Sequence, residues 1–340
     1  MKDNHKKYIE RTFYLANKGL GNVSPNPMVG CVIVKSGKII GEGYHEKYGK
    51  EHAEINAINN VTDKSLLEGS SFYINLEPCS HHGKTPPCSD EIMRYKPKEV
   101  IISNQDQNPI VNGKGINKLK KGGISVIENI EKEKGLIVNK RFFKNQLTNL
   151  PYIILKWAET KDGFIAKEDG SSKWISNELS RMLVHKWRSE EPGILIGVNT
   201  ANTDNPSLNV RSWTGNDPTR IVLDPNFKIN EKIKLFEDEG ALFVYNKEFD
   251  KKLKNKHLIQ NKSFILKDIL RDILEKGIGS IIVEGGAKTI NSFIEEGLWD
   301  EARVFISDKK FEKGIKAPKI DLNKYQKIRD NKLYTIYNHA

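Results

Sequence analysis

The sequence predicts an α/β protein made of two domains. Its 340 residues are more than a typical single domain needs and enough for two, each with its own hydrophobic core. Short apolar runs alternate with helical stretches along the chain, a pattern typical of sheets covered by helices. At residues 147–151 a charged helical stretch gives way to a new apolar run. We therefore place a first domain at residues 1–146 and a second at residues 147–340.

The first domain is expected to begin with an amphipathic helix, because apolar residues recur at helical spacing among charged ones over residues 1–20. Two strands around the turn Ser36-Gly37 should follow. The predicted strands of this half are 30–35, 38–43, 71–76, 99–103 and 124–127, and the predicted helices are about 51–59, from near 89, from near 116 and over 130–145.

The second domain shows the same alternation. Its predicted strands are 152–157, 193–198, 220–223, 241–245 and 280–283, and its predicted helices are 177–188 and 289–296. No G-x-G-x-x-G fingerprint occurs, so a Rossmann dinucleotide site has no support. Gly285-Gly286 joins a strand to a helix, and the amides at such a helix start can bind an anion. The same turn is also a common structural joint.

Charge and cysteine content narrow the class of protein. The formal net charge is +11, which would attract nucleic acid or anionic metabolites, but stretches such as 251–256 fit a solvated lysine-rich surface equally well. Three cysteines make a disulfide framework improbable, and Cys31 lies in an apolar run that predicts a buried, inert thiol. Residues 1–20 lack the apolar core of a signal peptide, and no segment is apolar for long enough to span a bilayer. We expect a soluble protein of the reducing cytoplasm.

Two short segments predict a hydrolytic zinc site. His52, Cys79 and Cys88 offer one imidazole and two thiolates, which leave a fourth position around Zn²⁺ for water. His52-Ala53-Glu54 followed by Pro78-Cys79 fits the H-x-E…P-C-x-x-C signature of zinc deaminases, in which the glutamate is the general acid/base and not a ligand. The fit has one departure, because residues 80–87 separate the two cysteines instead of two residues.

The chemistry makes demands on local structure. Zinc would lower the pKa of bound water toward ~7, and Glu54 would pass the released proton to the departing amine. His52 and Glu54 would point to opposite sides of a regular helix, so they can share one water only if a helix begins at this point. Cys79 and Cys88 are both expected at helix starts, where the dipole favours the thiolate. The alternative is a closed structural site using Cys79, Cys88 and one or both of His81 and His82, which would leave His52 and Glu54 unused.

The first half resembles the deaminase half of a bifunctional family. The segments that carry the resemblance are Asn26-Pro27, 29–34, 41–45, His52-Ala53-Glu54 and 77–88, and they are similar to the bifunctional riboflavin-biosynthesis deaminase/reductase. The resemblance implies a cytidine-deaminase-like α/β/α sandwich with substrate contacts at Asn26, His81 and Lys84. Without it, Asn26 would be a turn residue and Lys84 a solvated loop lysine. Residues 106–109 follow a strand end, where either a ligand contact or a plain turn fits.

The second half resembles the reductase half of the same family. The segments that carry this resemblance are 155–158 with Asp162-Gly163, 172–176, 197–200, 204–211 and 281–289. The resemblance implies an α/β fold like that of dihydrofolate reductase, with NADPH as cofactor. Ala158 departs from the family, in which many relatives have glycine, and the lysine-rich stretch after Ser307 is hard to align.

The resemblance also implies individual contacts in this half. NADPH contacts fall on Ala158, Trp174, Thr200, Asp204, Gly286, Ala287, Lys288, Thr289, Ile290, Asn291 and Ser292. Substrate contacts fall on Ser172, Arg188, Leu208, Arg211 and Glu284. Two arginines and a hydroxyl suit a ribose phosphate, and a carboxylate suits sugar hydroxyls. We add the hypothesis that Lys156 polarises or protonates the sugar end as hydride arrives. Taken alone, Arg188 could be a solvated helix-end arginine and Trp174 a core residue.

The zinc motif and the family resemblance together imply a bifunctional enzyme of riboflavin biosynthesis that acts on a small phosphorylated pyrimidine. Zinc-dependent deamination would come first, and NADPH would then reduce the ribosyl to a ribityl side chain. We expect a homo-oligomer with no nucleic-acid or membrane partner. One alternative is a nucleic-acid deaminase of the tRNA type with an accessory domain, which shares the zinc motif. Another is a zinc-stabilised binding module without catalysis, in which Glu54 would be replaceable.

Overall fold

The computed structural model describes residues 2–80, 86–108, 111–170, 175–253 and 255–338. The chain divides into two compact units, Met1–Thr148 and Asn149–Ala340. Each unit contains its own sheet and its own hydrophobic cores. Within the described residues, no helix combines the length and the apolar composition that crossing a bilayer requires.

The first unit is a five-stranded sheet with helices on both faces. Its strand order is β2-β1-β3-β4-β5, in which β3, β4 and β5 run parallel and β1 is antiparallel to both of its neighbours. The strands are β1 Gly30–Lys35, β2 Lys38–Tyr44, β3 Ser71–Leu76, β4 Glu99–Asn104 and β5 Ser125–Ile127. The helices are α1 Lys2–Asn17, α2 Ala53–Asn59, α3 Cys88–Arg94, α4 Lys114–Lys121, α5 Lys132–Val138 and α6 Lys140–Thr148, with a short 3-10 turn at Lys64–Leu67.

The alternation of side chains along β1 explains the layered arrangement. Val32 and Val34 pack in a core with α1, whereas Cys31 and Ile33 pack in a second core with α2. Successive side chains of a strand point to opposite faces, so an apolar run must be covered on both sides. Gly43 on β2 allows α2 to lie close to the sheet, since a Cβ there would lie 2.3 Å from the Ala57 amide nitrogen.

The single helix predicted over residues 130–145 is wrong, because the structure has two helices that meet at Asn139. The side chain of Asn139 accepts a hydrogen bond from the Met28 amide and donates one to the Met28 carbonyl, at 2.8 and 3.0 Å. This buried side chain thus satisfies both hydrogen-bonding groups of the Met28 main chain, which lies in a distant loop. The partner lies 111 residues away, so no local pattern announces the break.

The second unit is built on a ten-stranded sheet of order β11-β12-β10-β9-β8-β13-β6-β14-β17-β16. The strands from β12 to β14 in that order run parallel, and antiparallel strands flank them at both ends. The strands of this sheet are β6 Tyr152–Thr160, β8 Gly193–Gly197, β9 Thr219–Leu223, β10 Leu242–Asn246, β11 Lys251–Leu253, β12 Lys256–Gln260, β13 Ser280–Val283, β14 Glu301–Ser307, β16 Tyr325–Ile328 and β17 Asn331–Tyr337. Two short strands, β7 Phe164–Ala166 and β15 Ile315–Lys316, pair in a separate two-stranded sheet. The helices are α7 Glu178–Glu190, α8 Val198–Asp204, α9 Lys234–Glu237, α10 Leu266–Glu275 and α11 Ala287–Glu295.

Both faces of the central strands of this sheet are buried. Along β6, Ile153 and Leu155 pack in one core with α10 and α11, while Tyr152 and Ile154 pack in the other with α7. The continuous apolar runs are therefore those of parallel strands covered on both sides. The solvated lysine surface expected at 251–256 is wrong at its last residue. Lys256 is buried and donates to the carbonyl oxygens of Asp238 and Gly240.

Candidate active sites

The helix start that the His-Ala-Glu motif demands is confirmed. His52 is the N-cap residue of α2, with extended backbone angles of φ −75° and ψ 166°, and Glu54 lies in the first turn. Before the helical period is established, the two side chains can face one cavity. His52 and Glu54 both line the same cavity of the first unit.

The two cysteines lie in different secondary structure. Cys88 is the first residue of α3, but Cys79 lies in the loop after β3, so the expectation of a helix start at Cys79 is wrong. The amide of Cys88 nevertheless donates to the Cys79 sulfur at 3.3 Å. Hydrogen bonding with Cys88 and His52 lowers the pKa of Cys79 well below that of an ordinary thiol, although burial opposes the shift. The start of α3 therefore stabilises a thiolate that lies outside the helix.

His52, Cys79 and Cys88 form a compact donor set. The Nδ1 atom of His52 lies 3.6 Å from the Cys79 sulfur and 3.3 Å from the Cys88 sulfur, and the ligand atoms all lie within 4.8 Å of one another. A tetrahedral zinc with bonds of ~2.0 Å to nitrogen and ~2.3 Å to sulfur would hold such atoms about 3.5 Å apart. The donor types and distances therefore fit zinc with a fourth position left open.

The Glu54 carboxyl lies beside this donor set and is 3% exposed. Burial raises its pKa to about 7, against the opposing effect of the His52 charge. A carboxyl with a pKa near neutrality can both take and return a proton, which is the property that general acid–base catalysis requires. Glu54 is therefore a buried carboxyl beside the donor set, in the cavity that His52 and Cys79 also line.

The second unit has a larger cavity, of about 760 Å³, at the carboxyl ends of β6, β8, β9 and β13. The turn Glu284-Gly285-Gly286 leads from β13 into α11, and the Gly286 amide donates to Thr200 Oγ1 at 2.9 Å. A Cβ on Gly197 would lie 2.4 Å from Thr289 Oγ1, so the turns after β8 and β13 approach closely. Helix α11 thus opens onto the cavity, as a site for the phosphates of a dinucleotide requires. The size and this cradle fit NADPH.

Comparison with known proteins accounts for both halves of the chain. The cytidine and deoxycytidylate deaminase zinc-binding region matches residues 2–104, and the RibD C-terminal domain matches residues 151–315. The riboflavin biosynthesis protein RibD of Aquifex aeolicus is 40% identical over 338 residues, which cover 96% of this chain and 94% of that protein. The chain belongs to the RibD family.

Other RibD proteins agree. The Escherichia coli protein is 34% identical over 322 residues, covering 89% of this chain and 87% of its own length. A solved structure from Thermotoga maritima, a diaminohydroxyphosphoribosylaminopyrimidine deaminase/5-amino-6-(5-phosphoribosylamino)uracil reductase, is 34% identical with a TM-score of 0.90 and covers 99% of each chain. The chain is a bifunctional deaminase and reductase of riboflavin biosynthesis, with zinc and NADPH as cofactors. The fold class, both activities and both cofactors expected from the sequence are confirmed, and the nucleic-acid deaminase is not favoured.

The deaminase cavity of this RibD protein measures about 270 Å³. Asn26 lines it, and its side-chain nitrogen lies 3.2 Å from His45 Nε2, while His45 Nδ1 contacts the Glu51 carbonyl at 3.0 Å. Asp106 also lines the cavity, and burial raises its pKa to about 6. The polar residues after β4 therefore face the cavity. The predicted substrate contacts His81 and Lys84 lie outside the described residues.

Glu77 has a role that the sequence analysis missed. Its buried carboxylate accepts four backbone N–H groups of the loop and helix start after β4. The donors to Oε2 are the amides of Asp106 and Gly113, at 3.1 and 2.9 Å. The donors to Oε1 are the amides of Gly115 and Ile116, at 2.8 and 3.2 Å. One side chain thus ties the segment that carries Cys79 to the segment after β4, whose residue Asp106 also lines the RibD deaminase cavity.

The predicted reductase residues divide between cavity and core. Those that line the cavity are Lys156, Ala158, Arg188, Thr200, Asp204, Arg211, Glu284, Gly286, Ala287, Lys288, Thr289 and Ser292. Leu208 and Ile290 are buried in the hydrophobic cores, and Asn291 follows Ile290 in α11. Ser172 and Trp174 lie outside the described residues. His185, which the sequence analysis did not single out, also lines the cavity.

A buried charged group lies at the end of β13 in the RibD reductase unit. Glu284 accepts from Arg188 Nε and Nη2 at 2.8 and 2.9 Å, and Lys156 Nζ lies 3.5 Å from the same carboxylate. Burial opposes ionisation of Glu284, but the charges of Arg188 and Lys156 outweigh it and lower its pKa to about 2. The carboxylate is therefore charged at neutral pH, and its two partners add a net positive charge to the cavity.

Proposed function

We propose that the chain catalyses two successive reactions on one phosphorylated pyrimidine. The first replaces the 2-amino group of 2,5-diamino-6-(5-phosphoribosylamino)pyrimidin-4-one with oxygen and releases ammonia. The second uses NADPH to reduce the ribosyl side chain of the product to ribityl. The observation that carries the proposal is the donor set of His52, Cys79 and Cys88 with Glu54 beside it in one cavity.

In the deamination, Glu54 acts as the proton carrier and Asn26 contacts the pyrimidine edge. Zinc, when bound by the donor set, supplies the Lewis acidity that lowers the pKa of water. Buried Glu54 accepts the proton and returns it to the departing amine. Asn26 is oriented by His45, which is itself held by the Glu51 carbonyl. His81 and Lys84, which lie between the two cysteines in the sequence, contact the substrate, with Lys84 at its phosphate.

In the reduction, the start of α11 holds NADPH. The cofactor contacts in this proposal are Ala158, Trp174, Thr200, Asp204, Gly286, Ala287, Lys288, Thr289, Asn291 and Ser292, while Ile290 anchors α11 in the core. Bound NADPH supplies the hydride, which is delivered to C1′ of the ribosylamino group. Lys156 donates a proton to the sugar as the ring opens, and its place beside Glu284 supports this role.

The substrate contacts of the reduction are Ser172, Arg188, Arg211 and Glu284, while Leu208 packs in the core of the same unit. Glu284 binds sugar hydroxyls, since its carboxylate is charged and lines the cavity. Arg188 is committed to Glu284 through two of its nitrogens, and its Nη1 donates to the Asn209 carbonyl at 3.2 Å. The Arg211 side chain is exposed to the cavity and donates to Asn209 Oδ1. We therefore assign the main phosphate contact to Arg211.

Mass spectrometry of the pyrimidine after incubation with zinc-loaded protein, with and without NADPH, tests both steps. The expected result is a deamination mass shift in both samples and a further reduction shift only with NADPH. Deamination alone would refute the reductase half of the proposal. Salt-dependent RNA binding with base deamination and no change in the pyrimidine would replace the proposal with the nucleic-acid alternative.

We also propose a cytoplasmic location and a homo-oligomeric assembly. Cys79 and Cys88 bind zinc only as thiolates, which a reducing compartment preserves. Ile137 and Leu147 are 66% and 69% exposed, and a second copy would remove such apolar surface from water. Sedimentation of the full chain tests the assembly, and a monomer at micromolar concentration would contradict it.

A further inference from the structure

His185 connects the helix that carries Arg188 to the backbone of Arg211. It lies on α7, one turn before Arg188, is 6% exposed and lines the reductase cavity. Its Nδ1 atom accepts the backbone N–H of Arg211 at 3.2 Å. The imidazole is therefore the tautomer with its proton on Nε2.

The segment that carries Arg211 has little regular structure to hold it. Residues 205–218 contain neither helix nor strand, and Leu208 within them adopts a left-handed φ of 53°. Side chains fix its main chain instead. Asp217 accepts from the Val210 amide at 2.7 Å, Arg188 donates to the Asn209 carbonyl at 3.2 Å, and His185 accepts from Arg211. Two of these three anchors come from α7.

The Nδ1 atom of His185 can accept this hydrogen bond throughout the neutral pH range. Burial, followed by the charges of Arg188 and Arg211, lowers the pKa of His185 to about 4. A protonated imidazole would present N–H on both nitrogens and could not accept the Arg211 amide. Because the ring is neutral, the hydrogen bond to the backbone persists.

We propose that His185 is a positioning residue for the phosphate end of the reductase substrate. By holding the Arg211 backbone, it directs the arginine side chain into the cavity, where the guanidinium meets the phosphate of the ribosyl chain. This inference rests on the proposed reduction. His185 is not expected to contact the reacting atoms. Loss of its side chain should therefore weaken binding of the phosphate and leave the hydride step intact.

Two variants of similar size separate positioning from mere packing. In His185→Asn the side-chain Oδ1 takes the place of Nδ1 and can still accept the Arg211 amide. In His185→Gln the acceptor moves to the place of Nε2. We expect His185→Gln to raise KM for the phosphorylated substrate about tenfold, the value of one lost buried hydrogen bond, with kcat and the KM for NADPH little changed. His185→Asn should recover most of this affinity.

The decisive comparison uses the substrate after removal of its phosphate. With this compound, kcat/KM of His185→Gln should equal that of the unaltered protein, because there is no phosphate for Arg211 to meet. Equal losses on the phosphorylated and dephosphorylated compounds, or a failure of Asn to restore KM, would overturn the inference. Ammonia release by the same protein preparations reports that the first unit is intact. If the unaltered protein reduces neither compound, the proposed reduction fails, and this outcome is distinct from a failure of the His185 assignment.

Discussion

The guanidinium of Arg188 binds both oxygens of the Glu284 carboxylate, at 2.8 and 2.9 Å. The side chains are 11% and 8% exposed, and Lys156 lies 3.5 Å from the same carboxylate. Two cations therefore depend on one buried anion. Removal of one partner from a buried ion pair leaves an uncompensated charge, which costs far more than the pair contributes.

Glu284→Gln should strongly impair the reductase. The variant loses the charged acceptor of the sugar hydroxyls, and a hydrogen bond to a charged group contributes about 1.5–3 kcal/mol, so we expect kcat/KM for the reduction to fall by about 10- to 100-fold. NADPH oxidation with the deaminated pyrimidine measures it. Glu159→Gln is the matched control, since Glu159 lies on β6 and accepts from Trp157 Nε1, which a glutamine oxygen can also do. Similar losses in both variants would argue against a special role for the charged group.

The same carboxylate should make stability depend on pH. The pKa of Glu284 is lowered from 4.5 to about 2 in the folded chain, so its contribution is fully present above the unfolded pKa and is lost as pH falls toward 2. The free energy of unfolding of the second unit, measured with urea, should therefore fall as pH drops from 4.5 to 2. Tryptophan fluorescence isolates this unit because all 5 tryptophans lie after residue 149. If the free energy of unfolding of Glu284→Gln fell with pH as steeply as that of the unaltered protein, the pH dependence could not be assigned to Glu284.

Loss of either thiolate should remove zinc. A three-ligand site binds about one zinc per chain, and we expect Cys79→Ser and Cys88→Ser each to bind much less than that. Ammonia release should disappear with the metal, while NADPH oxidation on the deaminated product continues. Cys31→Ala is the control, because Cys31 is buried in the core and lies outside the donor set. Metal analysis that finds full zinc in either serine variant would rule out the donor set.

Glu54→Gln should separate metal binding from catalysis. Glutamine has a similar size but cannot carry the proton, so we expect ammonia release to fall by about 10²–10⁴-fold with zinc content unchanged. Zinc analysis and an ammonia assay on the same preparation provide the measurement. Undiminished turnover would refute the proposed mechanism and would favour a zinc-stabilised binding module.

Glu77→Gln should loosen the wall of the deaminase cavity. A glutamine presents one oxygen and one NH₂ group, so two of the four backbone N–H groups would lose their acceptor. Hydrogen bonds to charged groups contribute about 1.5–3 kcal/mol each, so the first unit should unfold at markedly lower temperature. The matched control is Glu99→Gln, because Glu99 on β4 accepts from the Ser71 hydroxyl at 2.7 Å, which a glutamine oxygen can also do. Equal decreases in unfolding temperature for Glu77→Gln and Glu99→Gln would show that Glu77 contributes no more to stability than an ordinary strand glutamate.

The sequence by itself determined the buried strands and the chemistry of the first site. The strands at 71–76 and 280–283 are found at the residues predicted, because continuous apolar runs can only be buried. His52, Cys79 and Cys88 were recognisable as a zinc set because few residue types bind this metal. The apolar pattern did not predict β14 or the helix break at Asn139. Strand β14 pairs with β6 far away in the sequence, and Asn139 bonds Met28, so both depend on distant partners.

Only the tertiary structure decided which polar groups meet. Arg188 and Glu284 are 96 residues apart, and His185 and Arg211 are 26 apart, yet both pairs lie within hydrogen-bonding distance. The four donors to Glu77 are backbone amides, which carry no sequence signal. Local periodicity records which face of an element is buried. The order of strands in the sheet brings their loops together, and this order is set by packing across the whole domain.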